Sequence, residues 1–241
     1  MGKPITLGMM QPYFFPYLGY FKLINDCSSW IVFDEAQYVS KTWINRNRIL
    51  HPRHSWMYIS VPLTKPTFRL PIKEIKIENK DATLKSLLGK ISHYKGKAPF
   101  YKATKQLIEN VFSSTRSERL VDLNLSTLSA TCNYLQIPFE YILSSEINFL
   151  RYTNMKPDDW SLEACKHLGC QRYLNAPGGR SFFSATKFLR HGIDLAFVEY
   201  SPIRYEVVGY DFEEDLSILD VLMWNSPERI NYFLEKSARK R

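Results

Sequence analysis

Between residues 41 and 50 the chain reads KTWINRNRIL, which sets one indole, two carboxamides and two guanidinium groups at Trp43, Asn45, Asn47, Arg46 and Arg48. A guanidinium fork matches the geometry of a phosphate or carboxylate, and an indole offers a flat surface for a ring to rest on. Carboxamides donate and accept at once, so they orient polar groups. If the stretch is extended, alternation puts Trp43, Asn45 and Asn47 on one face and Arg46 and Arg48 on the other. His51 follows closely and is the histidine to consider as a base.

Three other places deliver polar side chains beside turn residues. Gln11-Pro12-Tyr13 ends an apolar run, with Tyr17 a few positions on. Asp34-Glu35-Ala36-Gln37-Tyr38 ends a second run, and Asp34 is the candidate general base there. Asn175-Ala176-Pro177-Gly178-Gly179-Arg180 ends a third, and its glycines precede a helical pattern whose N–H groups could receive an anion. The common signatures of a nucleophilic serine, a zinc protease, a P-loop and a dinucleotide-binding loop are all missing from the sequence. Cys27, Cys132, Cys165 and Cys170 form no CxxC and no zinc-type spacing with the five histidines, so no metal is expected and the thiols are expected to be reduced.

These residues must be positioned by an α/β frame. The run 5–10 reads as a buried strand, Pro12 and Pro16 forbid its continuation, and 16–26 reads as a helix with proline in its first turn. WIVFD at 30–34 is the next strand, so the first 34 residues give the strand–helix–strand unit of a parallel sheet. Strands are predicted at 56–63, 72–77, 139–145 and 194–200, with a further short strand leading into a turn within RYLNAPGG at 172–179, and helices at 159–169, 181–192, 216–224 and 227–240. Three helical patterns, at about 81–94, 99–113 and 117–135, form an insertion over roughly 81–136. The expectation is a single α/β domain spanning 1–241, with a mainly parallel sheet flanked by helices.

The formal charge of +8 favours anionic partners, but the excess is divided between the 41–53 region and a tail of Lys236, Arg239, Lys240 and Arg241. Acidic residues are interspersed throughout, which argues against nucleic acid, and the tail reads as a solvated helix end. No stretch approaches the ~20 apolar residues of a membrane span, and no signal peptide is visible, so a cytoplasmic protein without a membrane partner is expected.

The stretches Gln11 to Phe21, Phe33 to Tyr38 and Trp43 to Ile49 resemble the WbqC-like protein family. So do Cys165 to Gly169, Arg172-Tyr173-Leu174 and the closing Leu216 to Leu222. The resemblance runs in order along nearly the whole chain. It implies a place in bacterial surface-polysaccharide assembly, O-antigen included, and a nucleotide-linked sugar as partner. The activity expected is transfer of an acyl or aminoacyl group to the amine of an amino sugar. An activated acyl donor or ATP would be the co-substrate. The alternatives are ATP-dependent amide ligation and non-catalytic binding of a nucleotide sugar or pathway enzyme. A more distant likeness is to nucleotidylyltransferase-type folds such as pantothenate synthetase. Tyr17-Leu18-Gly19-Tyr20 stands where those proteins carry two histidines around a glycine, and neutral tyrosines leave nucleotidyl transfer by that machinery in doubt. On residue chemistry, Arg46 and Arg48 would hold a diphosphate or carboxylate and Trp43 would pack on a sugar or base. Gln11, Tyr13, Tyr17, Gln37, Asn45, Asn47 and Asn175 would touch or orient the ligand.

Overall fold

The computed structural model describes residues 5–65 and 67–236. The first and last residues, including Arg239, Lys240 and Arg241 of the basic tail, lie outside the described residues. Strand β1 (Thr6–Met10) is buried along its middle, as an apolar run flanked by turn residues should be. The chain then turns into α1 (Leu18–Asp26) and returns as β2 (Ser29–Val32). Parallel pairing sets Leu7 beside Ser29 and Met10 beside Val32. Further along come β5 (Ile142–Leu143), α5 (Pro157–Leu168), β6 (Arg172–Asn175), α6 (Ala185–Leu189) and β7 (Asp194–Phe197). The five strands form one parallel sheet in the order β5-β2-β1-β6-β7. A parallel sheet flanked by helices is thus the architecture, consistent with a nucleotidylyltransferase-like fold.

Strand alternation divides the core between the two faces of this sheet. Leu7, Met9, Ile31 and Tyr173 pack with Leu162 and Cys165 of α5 and Phe188 of α6. Trp30, Val32 and Leu174 face the larger cluster on the other side. That cluster takes in α1 and the three helices of the insertion, α2 (Lys80–Ile91), α3 (Tyr101–Ser114) and α4 (Leu120–Tyr134). It also takes in α7 (Ile218–Trp224) and α8 (Pro227–Lys236). Buried on both faces, the strands need no polar alternation, which is why they read as near-continuous apolar runs.

Several elements differ from the sequence expectation. Arg46–Leu50 is a strand, β3, paired antiparallel with β4 (Trp56–Ser60) in a hairpin separate from the main sheet. The 72–77 stretch alternates like a strand but forms a single 3-10 turn at Ile72–Glu74. Its amides are taken one at a time: Ile72 N–H donates to Ala36 C=O and Lys73 N–H to Asp34 C=O. The predicted strand at 139–145 shrinks to two residues, and the helix predicted over 181–192 to the five of α6.

Under α7 lies a buried polar pin. Asp220 accepts hydrogen bonds from the hydroxyls of Tyr94 and Tyr205, and the Tyr94 oxygen accepts the Leu50 N–H at 3.0 Å. Among the described residues no cation answers this carboxylate, so burial pushes it up to about 6 despite the two phenols that stabilise its charge. His93, its ring packed on Tyr94, is drawn down to about 4, chiefly by burial. Among the described residues no helix is long and apolar enough to cross a membrane.

Candidate functional site

All five strands point the same way, so their carboxyl ends open on one edge of the sheet. The chain steps from β1 to β2 on one side and comes back to β6 on the other, which makes the β1–β6 boundary the switch point. Ligands of open α/β sheets bind in that crevice. A cleft of about 540 Å³ occupies it, walled by Met10 ending β1 and Gln11 and Tyr13 after it, Phe33, Glu35 and Gln37 after β2, and Asn175 ending β6. Trp160 and Ser161 of α5 and the rings of Tyr173 and Phe183 complete it. Tyr173 and Phe183 stack within 9° of parallel, and Trp160 rests on Phe33 at 5.0 Å. Among the described residues no lysine or arginine lines this cleft. Flat apolar walls with three carboxamides suit a neutral planar group with a polar edge.

Tyr13 also borders a second cavity of about 330 Å³, lined by Pro16, Tyr17, Trp43, Asn47, Arg48 and Asp215. Here the hairpin decides the chemistry. Arg48 stands opposite Tyr58 in the β3–β4 register, and its guanidinium lies 5.1 Å from the Trp56 ring and 5.5 Å from Trp43. Its Nε is buried without a partner, and among the described residues it makes no ion pair. Tyr17 is fixed over the start of α1, where a Cβ on Gly19 would come within 2.4 Å of its ring. Burial and the Asp215 carboxylate keep the Tyr17 hydroxyl protonated, and burial does the same for Tyr13.

The aromatic turn at 11–17 is held almost atom by atom. Asn47 Nδ2 donates to the carbonyls of Phe14 (3.2 Å) and Phe15 (2.8 Å), and Ser217 Oγ donates to Phe15 as well (2.7 Å). Asn124 Nδ2 donates to Pro12 and Ile44, Ile218 N–H to Pro16, and the Tyr20 hydroxyl to Gln11. Phe15 sits at φ +40, which a side chain seldom adopts unless its surroundings enforce it. This strained turn is what presents Tyr13 and Tyr17 to the cavities.

The structure therefore sorts the expected residues. Gln11, Tyr13, Gln37 and Asn175 line the larger cleft, and Tyr13, Tyr17, Trp43, Asn47 and Arg48 the smaller cavity. Asn47, however, spends both ends of its amide on the protein, since Oδ1 accepts the Arg48 N–H at 2.8 Å. Trp43 lies in the turn before β3, and it meets Arg48 instead of sharing a face with Asn47.

Asp34 requires the plainest correction. Its carboxylate is buried and accepts from Ser144 Oγ (2.8 Å), Ser145 N–H (3.0 Å) and Ser145 Oγ (2.6 Å). It ties the segment after β5 to β2 and is out of reach of a substrate amine. The carboxylate that β2 shows to the cleft is Glu35, ion-paired with Arg151 at 2.9 Å. Asn45 is likewise structural, accepting from the Tyr38 hydroxyl and donating to Val61 C=O. Arg46 lies over the Tyr58 ring at 4.1 Å and donates to Lys41 C=O, outside both cavities. His51 sits at the hairpin turn, where Nδ1 accepts the N–H groups of Arg53 and His54, so that lone pair cannot take a substrate proton.

Gly178 and Gly179 form a tight turn whose N–H of Gly179 is used within it, and α6 is too short to direct a helix end at an anion. Gly179 answers a packing need, since a Cβ there would meet Asn175 Nδ2 at 2.4 Å. Asp215, Trp160 and Asn124 are not among the candidates read from the sequence, and Tyr173 enters there only within the Arg172-Tyr173-Leu174 motif. Asn124 sits mid-helix with nothing local to mark it, whereas Asp215 directly precedes the Leu216 to Leu222 motif. Among the described residues no group of three or more His, Cys, Asp or Glu is placed to hold a metal ion.

The hydrogen bonds just described join three stretches far apart in sequence, 11–17, 43–48 and 215–218, into the walls of one cavity. In comparison with known proteins, the model of the WbqC-like protein family matches residues 11–232, a span that takes in all three stretches along with the rest of the chain. The chain belongs to the WbqC-like family. This WbqC-like chain is also 26% identical to the Uncharacterized protein Rv1507c of Mycobacterium tuberculosis (strain ATCC 25618 / H37Rv), over 94% of its own length and 96% of that relative's. No solved structure matches the WbqC-like chain.

Proposed function

We propose that this WbqC-like protein transfers an acyl or aminoacyl group to the amine of a nucleotide-linked amino sugar, in bacterial surface-glycan synthesis. The observation that carries this reading is the pairing of two unlike cavities along Tyr13. The larger, flat-walled and lined by no lysine or arginine among the described residues, suits a nucleoside, with Gln11, Gln37 and Asn175 placed for the edge of a base. The smaller holds Arg48, whose fork suits the phosphate that a nucleoside carries with it. A nucleotide sugar lying across Tyr13 would then set its sugar in the smaller cavity. Asp34, held inside the protein, has no part in this: the amine nitrogen bonds to the acyl carbon, the bond from that carbon to the donor's leaving group breaks with its electron pair going to the leaving group, and the proton of the amine passes to a group of the smaller cavity. An amine facing an activated acyl group needs only modest base assistance.

The experiment is to incubate the protein with nucleoside-diphosphate amino sugars, acyl and aminoacyl donors, and free amino acids with and without ATP. The sugar is then weighed for the acyl increment. Turnover with an activated donor supports transfer. Turnover only with ATP moves the reading to ligation. Tight binding of the nucleotide sugar with no product under any condition overturns the enzymatic reading in favour of a binding protein.

A further inference from the structure

The smaller cavity holds one cation and one anion that do not pair. Arg48 reaches Asp215 only through a long contact of 3.5 Å from Nη2 to the backbone carbonyl, and the two side chains form no salt bridge. Yet both border the same 330 Å³ space, and the Arg48 charge pulls the Asp215 carboxyl downward. Neither is an idle surface group. Arg48 is clamped between two indoles with its Nε buried and unpartnered, so little freedom is left for its guanidinium to swing across and neutralise Asp215. Asp215 sits at φ +52 beside Tyr200, whose hydroxyl helps stabilise its charge and whose ring is packed edge-on against Tyr17. Opposite charges held apart across a cavity by their own packing are complementary to a ligand that carries both signs in the reverse order.

We infer that this cavity binds a small zwitterion, its oxyanion on Arg48 and its ammonium on Asp215. Two chemistries meet that description, an amino-sugar phosphate and an α-amino acid. The inference rests on the transferase reading for what the ligand is for, because the first would be the acceptor and the second the source of an aminoacyl group. It does not rest on that reading for whether the ligand binds. With an amino-sugar phosphate in place, Asp215 is the group next to the amine. Burial and the neighbouring Glu214 raise its carboxyl against the opposing pull of Arg48, which suits it to receive a proton.

Calorimetric titration of the full chain tests this with defined probes: glucosamine 1-phosphate, a panel of free amino acids, and versions of each lacking one charge. N-acetylation removes the ammonium, while the amino-acid amide and glucosamine itself remove the oxyanion. The expected result is that one zwitterion class binds at least about tenfold tighter than both of its clipped forms. Arg48→Gln should abolish the preference for the oxyanion while leaving that for the ammonium, and Asp215→Asn the reverse. Asp215 stands at the surface and Asn keeps its shape, so that variant should fold even if Arg48→Gln does not. Clipped forms that bind as well as their parents, an ammonium preference that survives Asp215→Asn, or no binding of any probe at millimolar concentration would each overturn the inference. Zwitterion binding without turnover of any nucleotide sugar would leave the site intact and remove the transferase reading. Turnover indifferent to Asp215→Asn would do the opposite.

Discussion

Asn47→Ala should unfasten the site more than its single side chain suggests. The amide makes three bonds inside the protein, to Phe14 C=O at 3.2 Å, to Phe15 C=O at 2.8 Å, and from Arg48 N–H at 2.8 Å. Phe15 C=O keeps the Ser217 hydroxyl, so two backbone groups are left without these bonds, Phe14 C=O and Arg48 N–H. At about 1–3 kcal/mol for each buried orphan, the loss is about 2–6 kcal/mol, a large part of the stability of an ordinary domain. It also frees the Phe15 turn to leave its positive φ, so Tyr13 and Tyr17 would lose their fixed positions. Urea unfolding of wild type and variant at neutral pH measures the first effect, and titration with a nucleotide sugar the second. Asn47→Asp supplies the control. It presents a carboxylate to two carbonyl oxygens and should be at least as unstable at pH 7. It should recover as the pH falls, because a protonated acid can donate again. A loss below about 1 kcal/mol in Asn47→Ala, or an Asn47→Asp variant indifferent to pH, would refute the claim that this amide holds the turn.

Asp34→Ala should act on folding rather than on chemistry. Three donors lose a charged acceptor, for about 2–4 kcal/mol in urea unfolding, while the folded fraction keeps its turnover per molecule. The Asp220 pin makes a pH prediction with opposing signs. Asp220, raised to about 6, takes a proton in the folded chain before it would unfolded, so it adds stability as the pH falls through 6. His93, lowered to about 4, stays neutral while the unfolded imidazole charges near 6.5, so it removes stability over the same interval. Melting curves from pH 7 to 4 should therefore be nearly flat in this respect for wild type, rise toward low pH in His93→Gln and fall in Asp220→Asn. Parallel profiles for the two variants would contradict the assignment. Tyr13→Ala should weaken probes of both cavities, while Gln37→Ala should weaken only those of the larger. Equal effects of the two variants on a glucosamine phosphate probe would show that Tyr13 does not border the smaller cavity in solution.

The frame of the protein was legible because its strands are buried on both faces. TLGMM and WIVFD are apolar runs bounded by turn residues, and the two prolines between them leave room for a turn and a helix but not for a longer strand. Strand β3 was not legible as one. Its inward position Asn47 is polar and its outward arginines look like a solvated loop until Trp56 and Tyr58 are laid beside them. The 72–77 stretch misled in the other direction, since its alternation serves single bonds to Asp34 and Ala36 instead of a ladder. The residues expected at the site divided on burial, which sequence shows poorly for polar groups. Asp34 and Asn47 carry the right chemistry, but their partners lie as far off as Ser144 and Phe14, and they spend their hydrogen bonds on the chain itself. Asp215 is set apart from Asp211, Glu213 and Glu214 in the sequence only by its place directly before the Leu216 to Leu222 motif. Only the fold brings it to Arg48.

The most direct test of the central claim is a crystal structure of the protein soaked with a nucleoside-diphosphate amino sugar. The account predicts the base between Trp160 and the Tyr173–Phe183 stack, Asn175 or Gln11 on its edge, and the phosphates reaching Arg48 past Tyr13. A nucleotide seated elsewhere, with its phosphates on the Pro177-Gly178-Gly179 turn or the base outside the β1–β6 crevice, would contradict it.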